Sequence, residues 1–243
     1  MINIEGISDK KILIIDDETD ILNLLETVLL KEGFRRIYKA ASGLKGIEAC
    51  KVYAPDIIVL DIMLPDIDGY EVCRKLREFT LVPIIFLSAK SDDVDKILGI
   101  GIGGDDYVTK PFSPKEVAFR IKAQFRRSQL LGIEKNGNTL DKVIAFGNIE
   151  LNPGTGEVKK SGKPLALTAK EYQLLLYMVE NRNRVISKRK LCDDVWGEEY
   201  IGYDNAIMVH ICHLREKIED DPSSPKYIKT IKGLGYKLSA KTE

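Results

Sequence analysis

Four short runs of branched apolar residues punctuate the first half of the chain, and each ends on a polar landmark. Residues 12–15 lead into Asp16 and Asp17, residues 57–60 into Asp61, residues 84–87 into Ser88, and residues 107–109 into Lys110. Continuous apolar runs of this length read as strands buried on both faces, and the stretches between them are long enough for helical crossovers. Helices are expected over residues 20–32, 43–52, 69–78, 92–101 and 114–127. The last is announced by Ser113-Pro114-Lys115-Glu116, an N-cap serine with proline at the first helical position and glutamate three residues after the cap. Strand and helix alternate five times, the pattern of a three-layer parallel α/β fold.

After Arg127 the pattern changes. Residues 134–139 (Glu-Lys-Asn-Gly-Asn-Thr) are polar, turn-rich and aperiodic, which predicts a linker over residues 129–143. Strand-like pieces at 145–151 and 157–160 then flank the turn Asn152-Pro153-Gly154-Thr155-Gly156. Thr168-Ala169-Lys170-Glu171 is a capping box leading into a leucine-rich core helix through residue 180, and Ser187 caps a segment running to Trp196. A longer amphipathic stretch, 204–219, sets Ile207, Ile211, Leu214 and Ile218 on one side. Segments 227–231 and 236–238 flank Lys232-Gly233-Leu234-Gly235, a hairpin signal. Strands, three helices and a terminal hairpin predict an α+β winged helix over residues 144–240, after a first domain over residues 9–128. A chain of 243 residues is long enough for two such units, each with its own core.

In an open parallel sheet, ligands bind at the carboxyl ends of the strands, so three carboxylates, a hydroxyl and an ammonium group should converge on one rim. Crowded carboxylates repel one another unless a cation sits among them, and a few hard oxygen ligands suit a partly hydrated Mg²⁺, or Mn²⁺. Such an ion leaves room for phosphate oxygens. Lys110 supplies a positive point charge for a phosphoryl oxygen, the Ser88 hydroxyl can donate to another, and one carboxylate, best Asp61, can act as phosphoryl acceptor. Any one of these aspartates alone reads as a turn or cap residue. Their joint placement with Ser88 and Lys110 is what makes the signal specific.

Residues 14–18 (Ile-Ile-Asp-Asp-Glu), 61–66 (Asp-Ile-Met-Leu-Pro-Asp), 87–90 (Leu-Ser-Ala-Lys) and 105–112 (Asp-Asp-Tyr-Val-Thr-Lys-Pro-Phe) resemble the receiver domain of bacterial two-component response regulators. The resemblance implies a five-stranded, doubly wound, flavodoxin/CheY-like fold in which Asp61 takes a phosphoryl group from a sensor histidine kinase. It implies that Asp17, Asp61 and the Met63 backbone carbonyl hold Mg²⁺, with Asp16 close by or acting through water. Ser88, Ala89 and Lys110 would contact the phosphate, and Ser88 and Tyr107 would form a switch in which the tyrosine turns inward. Serine stands at position 88 where the family more often has threonine, so the β-branched restraint on χ1 is missing. The resemblance also implies a cis bond between Lys110 and Pro111.

Composition narrows the reading. Net charge is zero: residues 1–130 carry 19 basic and 21 acidic side chains, and residues 131–243 carry 18 and 16. Any basic footprint for nucleic acid must therefore be local. Cys50, Cys73, Cys192 and Cys212 show no C-x-x-C spacing, which suits reduced thiols, and no further His or nearby Cys completes a zinc set around His210 and His213. With no 18-residue apolar run and no basic-then-apolar leader, a cytoplasmic protein is expected.

The second half carries its own resemblance, in residues 167–172, 191–197, 209–217 and 227–236, to the effector domain of the OmpR/PhoB class of response regulators. The helix over 204–219 would then enter the major groove of promoter DNA. Asn205 would suit adenine, His213 and Arg215 would reach bases or phosphates, and Lys232 at the hairpin tip would approach the minor groove or its backbone. Phosphate positioning would fall to Arg182, Arg184, Lys188, Arg189 and Lys190, a local basic cluster. Asn205, His213 and Glu216 stand where many relatives are basic, which predicts weaker anchoring by this helix.

In this class the phosphorylated receiver forms a two-fold dimer through its fourth helix, fifth strand and fifth helix. Matching positions here would pair Lys96 with Glu116, Asp105 with Arg120, and Asp106 with Arg127 between copies. RNA polymerase is a further expected partner. The protein is expected to catalyse its own phosphorylation and slow dephosphorylation without being a turnover enzyme. A rival is a metal-dependent phosphohydrolase with Asp61 as nucleophile. It needs an acid–base group beside the nucleophile, and residues 1–130 contain no histidine, although a carboxylate can serve.

Overall fold

The computed structural model describes residues 7–89, 99–130, 143–196 and 204–240, with the side chains of 126–130 and 204–206 excepted. The chain divides into two compact units, residues 1–125 and 126–243.

In the first unit, strands β1 (Lys11–Ile15), β2 (Arg36–Ala40), β3 (Ile57–Asp61), β4 (Ile84–Ser88) and β5 (Asp106–Thr109) form one parallel sheet in the order β2-β1-β3-β4-β5. Helices α1 (Thr19–Lys31), α2 (Gly43–Tyr53), α3 (Gly69–Arg77) and α4 (Pro114–Leu130) connect and flank the strands. Residues 99–101 are helical too, and the rest of the helix expected over 92–101 lies outside the described residues.

The period of two along each strand sorts the apolar side chains into two cores. Ile12, Ile14, Ile57, Val59, Ile85 and Leu87 meet Leu22, Leu25 and Leu29 of α1 and Val117 and Ile121 of α4. Leu13, Ile15, Ile58, Leu60, Ile84 and Phe86 meet Cys50 of α2 and Val72, Cys73 and Leu76 of α3. Each fully buried aliphatic side chain contributes about 1.5–3 kcal/mol, so strands that bury both faces are pinned in register. β2, at the sheet edge, buries only Ala40 completely, which is why it carries no apolar run in the sequence.

From β1 the chain moves outward to β2 and then returns to β3 on the other side of β1. That reversal is a topological switch point. It opens a crevice beyond the carboxyl ends of β1 and β3, the ends that carry Asp16, Asp17 and Asp61.

The second unit opens with an antiparallel sheet of β6 (Ile144–Phe146), β7 (Ile149–Asn152), β8 (Glu157–Lys160) and β9 (Lys163–Pro164). The single strand expected over 145–151 is thus two strands. Gly147 breaks it with φ 55°, at a spot where an added Cβ would lie 2.1 Å from the Tyr227 hydroxyl. Helices α5 (Ala169–Glu180), α6 (Lys188–Val195) and α7 (Asp204–Ile218) follow, and β10 (Ile228–Ile231) pairs with β11 (Gly235–Leu238) as the terminal hairpin. The capping box forms as expected: the Glu171 amide donates to Thr168 Oγ1 at 3.3 Å, and the Thr168 amide to Glu171 Oε2 at 2.8 Å. Ile207, Ile211, Leu214 and Ile218 are buried together against Leu174, Leu175 and Met178. This is the winged-helix arrangement.

Candidate functional site

Asp16 follows directly on β1, and its amide still donates to the Ala40 carbonyl of β2 at 3.1 Å, so strand pairing holds its backbone in place. Its side chain is fully buried, with Oδ1 accepting from the Glu18 amide at 2.9 Å. Asp61 ends β3 with only 2 % exposure, while Asp17 faces solvent. One oxygen from each of the three carboxylates lies within 4.8 Å of the others.

Lys110 reaches into this cluster from the end of β5. Its Nζ stands 2.9 Å from Asp61 Oδ2, 3.1 Å from Asp16 Oδ2 and 3.2 Å from Glu18 Oε1. Burial raises the pKa of both Asp16 and Asp61 above the ordinary aspartate value, against the pull of Lys110. Burial opposes the charge on Lys110 as well, but its bonds to Asp61 and Asp16 outweigh that and raise its pKa above the usual lysine value. The donor set is all hard oxygen, with one ammonium group beside three carboxyls, which fits a divalent cation. Among the described residues it is the one group of three or more potential metal ligands, and His210 and His213 belong to no such group.

Ser88 is the buried last residue of β4, and its carbonyl accepts from the Lys110 amide at 2.6 Å. Ala89 is exposed beside it. Tyr107 lies fully buried on β5, its ring centroid 6.4 Å from that of Phe86. The Lys110-Pro111 bond is cis.

The loop from β3 to α3 is tied down by Asp66 and Gly69, to which the sequence reading gave no role. Asp66 caps α2 from outside that helix, its two carboxylate oxygens accepting from the Gly43 and Leu44 amides at 2.9 Å each. Those backbone donors hold its pKa at about 2. Gly69 packs against the strand end so closely that a Cβ would sit 2.2 Å from the Asp61 carbonyl. The Met63 side chain is 60 % exposed, and its amide donates to Asp61 Oδ1 at 3.3 Å. An Asp-x-Asp-Gly run after a buried strand was the available signal for this clamp.

The residues expected at a dimer face are arranged differently from the expectation. Asp105 is fully buried, and its Oδ2 accepts from Arg77 Nη2 at 2.7 Å and from the Ile84 amide at 2.9 Å. Its pairing with Arg120 of a second copy is therefore corrected: the carboxylate is committed inside its own unit, where exposing it would leave Arg77 unmatched. Arg120 bonds Asp106 at 3.1 Å and Glu116 at 2.9 Å within the chain. Lys96 lies outside the described residues, as does the side chain of Arg127.

Two of the expected base readers on α7 are also redirected. Arg215 spends its guanidinium on the hairpin, donating to the Ile228 carbonyl at 2.7 Å and to Thr230 Oγ1 at 2.8 Å. His213 turns toward α5, with Nδ1 3.8 Å from Glu171 Oε1. A helix has one outward stripe, and both residues fall to its sides. The Asn205 side chain is outside the described residues. Arg189 and Lys232 are exposed and Lys188 partly so, and Lys188, Lys232, Met208 and Cys212 line a groove of about 600 Å³ between α6, α7 and the hairpin.

Residues 12–122 match the response regulator receiver domain, and residues 162–238 match the C-terminal domain of transcriptional regulatory proteins. Over 95 % of the chain and 97 % of the relative, the sequence is 42 % identical to the alkaline phosphatase synthesis transcriptional regulatory protein PhoP of Bacillus subtilis. It is 42 % identical to the transcriptional regulatory protein YvrH of the same organism over 93 % of the chain and 94 % of that relative. The chain is a response regulator of the OmpR/PhoB class. A solved RitR mutant, 24 % identical, has the same fold, with a TM-score of 0.76 over 96 % of this chain and all of that one. Response regulators of this construction are phosphorylation-dependent transcription regulators with a kinase partner and a DNA-binding domain. In this regulator no helix among the described residues is long and apolar enough to cross a membrane.

Proposed function

We propose that Asp61 accepts a phosphoryl group from a sensor histidine kinase, with Mg²⁺ (or Mn²⁺) held by Asp16, Asp17, Asp61 and the Met63 carbonyl. The observation that carries this reading is the convergence of three carboxylates within 4.8 Å, with Lys110 Nζ 2.9 Å from Asp61. The ion supplies charge neutralisation at the phosphoryl oxygens. Asp61 Oδ attacks phosphorus as the bond to the kinase histidine breaks. Lys110 shifts from Asp61 to a phosphoryl oxygen, and the Ser88 hydroxyl and Ala89 amide donate to others. Ser88 moves toward the aspartyl phosphate, and Tyr107, buried on β5, turns into the space that is vacated. The same site releases phosphate slowly to water, and the protein is not a turnover enzyme.

The receiver occupies residues 9–128, a linker 129–143, and the winged helix 144–240. Phosphorylation brings two receivers together through the faces bearing Lys96, Glu116, Asp106, Arg120 and Arg127. Two copies of α7 then engage paired half-sites in promoter DNA, where RNA polymerase is recruited in the cytoplasm. Lys188, Arg189 and Lys232 hold phosphates. The second contact becomes intramolecular on dimerisation, so weak single-site binding turns into occupancy.

The test is intact-mass analysis after treatment with acetyl phosphate and Mg²⁺. The parent gains one phosphoryl group, Asp61→Asn gains none, and sedimentation shows association of the parent alone. An unlabelled parent, or equal labelling of both proteins, overturns the reading.

A further inference from the structure

The outward stripe of α7 carries two sulfur side chains in its described middle turns. Among its described side chains, Met208 is 44 % exposed, Cys212 is exposed one turn later, and Glu216 is exposed one turn beyond that. Arg215 is bound to the hairpin backbone and His213 leans on Glu171, so neither supplies this stripe with a base-reading donor. Met208 and Cys212 instead share one groove with Thr230, Lys232 and Leu234 of the hairpin and with Lys188, whose Nζ lies 3.6 Å from Met208 Sδ. The groove thus combines the positive charges of Lys188 and Lys232 with an unbranched thioether and a thiol.

The major-groove edge of a base pair offers donors, acceptors and one apolar group, the thymine C5 methyl. A thioether and a thiol make poor partners for the first two and good contacts for the third. We infer that Met208 and Cys212 are specificity-determining residues that recognise thymine methyl groups, while the flanking lysines bind phosphate without regard to sequence. The inference rests on the proposed entry of α7 into the major groove and adds which chemical feature of the operator it selects.

Duplexes enriched from a random-sequence pool by the full chain, with acetyl phosphate and Mg²⁺ present, serve as the probe, remade with deoxyuridine in place of thymidine. Loss of each contacted methyl weakens binding about fourfold, the equivalent of one buried carbon. The variant carrying Met208→Gln and Cys212→Ser, both at exposed positions, binds the thymidine and deoxyuridine duplexes nearly equally. The variant is the control for any effect of uracil on duplex shape. Equal binding of the two duplexes by the parent, or the same preference in parent and variant, overturns the inference and leaves DNA binding standing. A pool that never enriches overturns the DNA reading itself.

Discussion

Lys110 Nζ stands 2.9 Å from Asp61 Oδ2 and 3.1 Å from Asp16 Oδ2, a single ammonium shared by two buried carboxylates. One positive charge does not balance two negative ones in a poorly solvated site, and burial raises the pKa of both aspartates. A carboxylate whose folded pKa lies above its unfolded value destabilises the fold at higher pH, and the penalty disappears as pH falls through the raised value. Asp61→Asn is therefore more thermally stable than the parent at neutral pH, and the gap narrows on acidification. Melting curves across pH 4–8 check the sign. A variant less stable than the parent at neutral pH would mean that the Lys110 pairing outweighs burial.

Asp66 gives the opposite sign. Its pKa is about 2, against 3.8 for an ordinary aspartate, because it accepts from the Leu44 and Gly43 amides. Its contribution is present above the unfolded value and is lost as pH falls toward 2. Asp66→Ala costs about 1 kcal/mol at neutral pH, as for a lost helix cap, with solvent at this surface position holding it to the lower end. Urea unfolding at neutral and at acid pH reads the difference, which must vanish in acid.

Asp105 and Arg77 form a buried pair, with side-chain exposures of 1 % and 12 %. Removing one partner leaves an uncompensated buried charge, so Asp105→Ala costs about 3–5 kcal/mol. Chemical denaturation measures this loss. A variant that keeps its stability but associates more weakly would restore Asp105 to the dimer face.

Gly69 has no room for a side chain, since the nearest atoms belong to the backbone of Asp61 and Ile62. Gly69→Ala displaces the segment from β3 to α3, with an overpacking cost of about 1–3 kcal/mol. It also slows phosphoryl acceptance, because the strand end that positions Asp61 moves. Stability by urea titration and label uptake with acetyl phosphate should fall together, and unchanged uptake would separate the loop from the chemistry.

Much of this was legible in the chain because its strongest signals are local. Strands buried on both faces print continuous apolar runs, and the polar residues that end them, Asp16, Asp17, Asp61, Ser88 and Lys110, are legible as neighbours on one rim. The capping box at Thr168, the Ser187 cap and the terminal turn of the second unit were equally plain. Edge strand β2 printed no run, and the break at Gly147 was hidden in what read as one strand, since an isolated glycine marks a turn only once its φ is known. Hardest were long side chains. Arg215, Arg120 and His213 sit at the sequence positions expected of them, but which neighbour a guanidinium or imidazole takes depends on three-dimensional neighbours such as Ile228, Asp106 and Glu171. Spacing along a helix gives the face and leaves the partner open.

The bonds from Arg120 to Asp106 and Glu116 carry a consequence for assembly. If two copies meet at this surface, the arginine arrives already matched, so docking trades one set of ionic neighbours for another. The Arg120–Asp106 pair is mostly buried, with side-chain exposures of 14 % and 6 %, so splitting it without a matching replacement is costly. An arrangement of two copies that keeps this pair whole is therefore favoured at this surface over one that divides it.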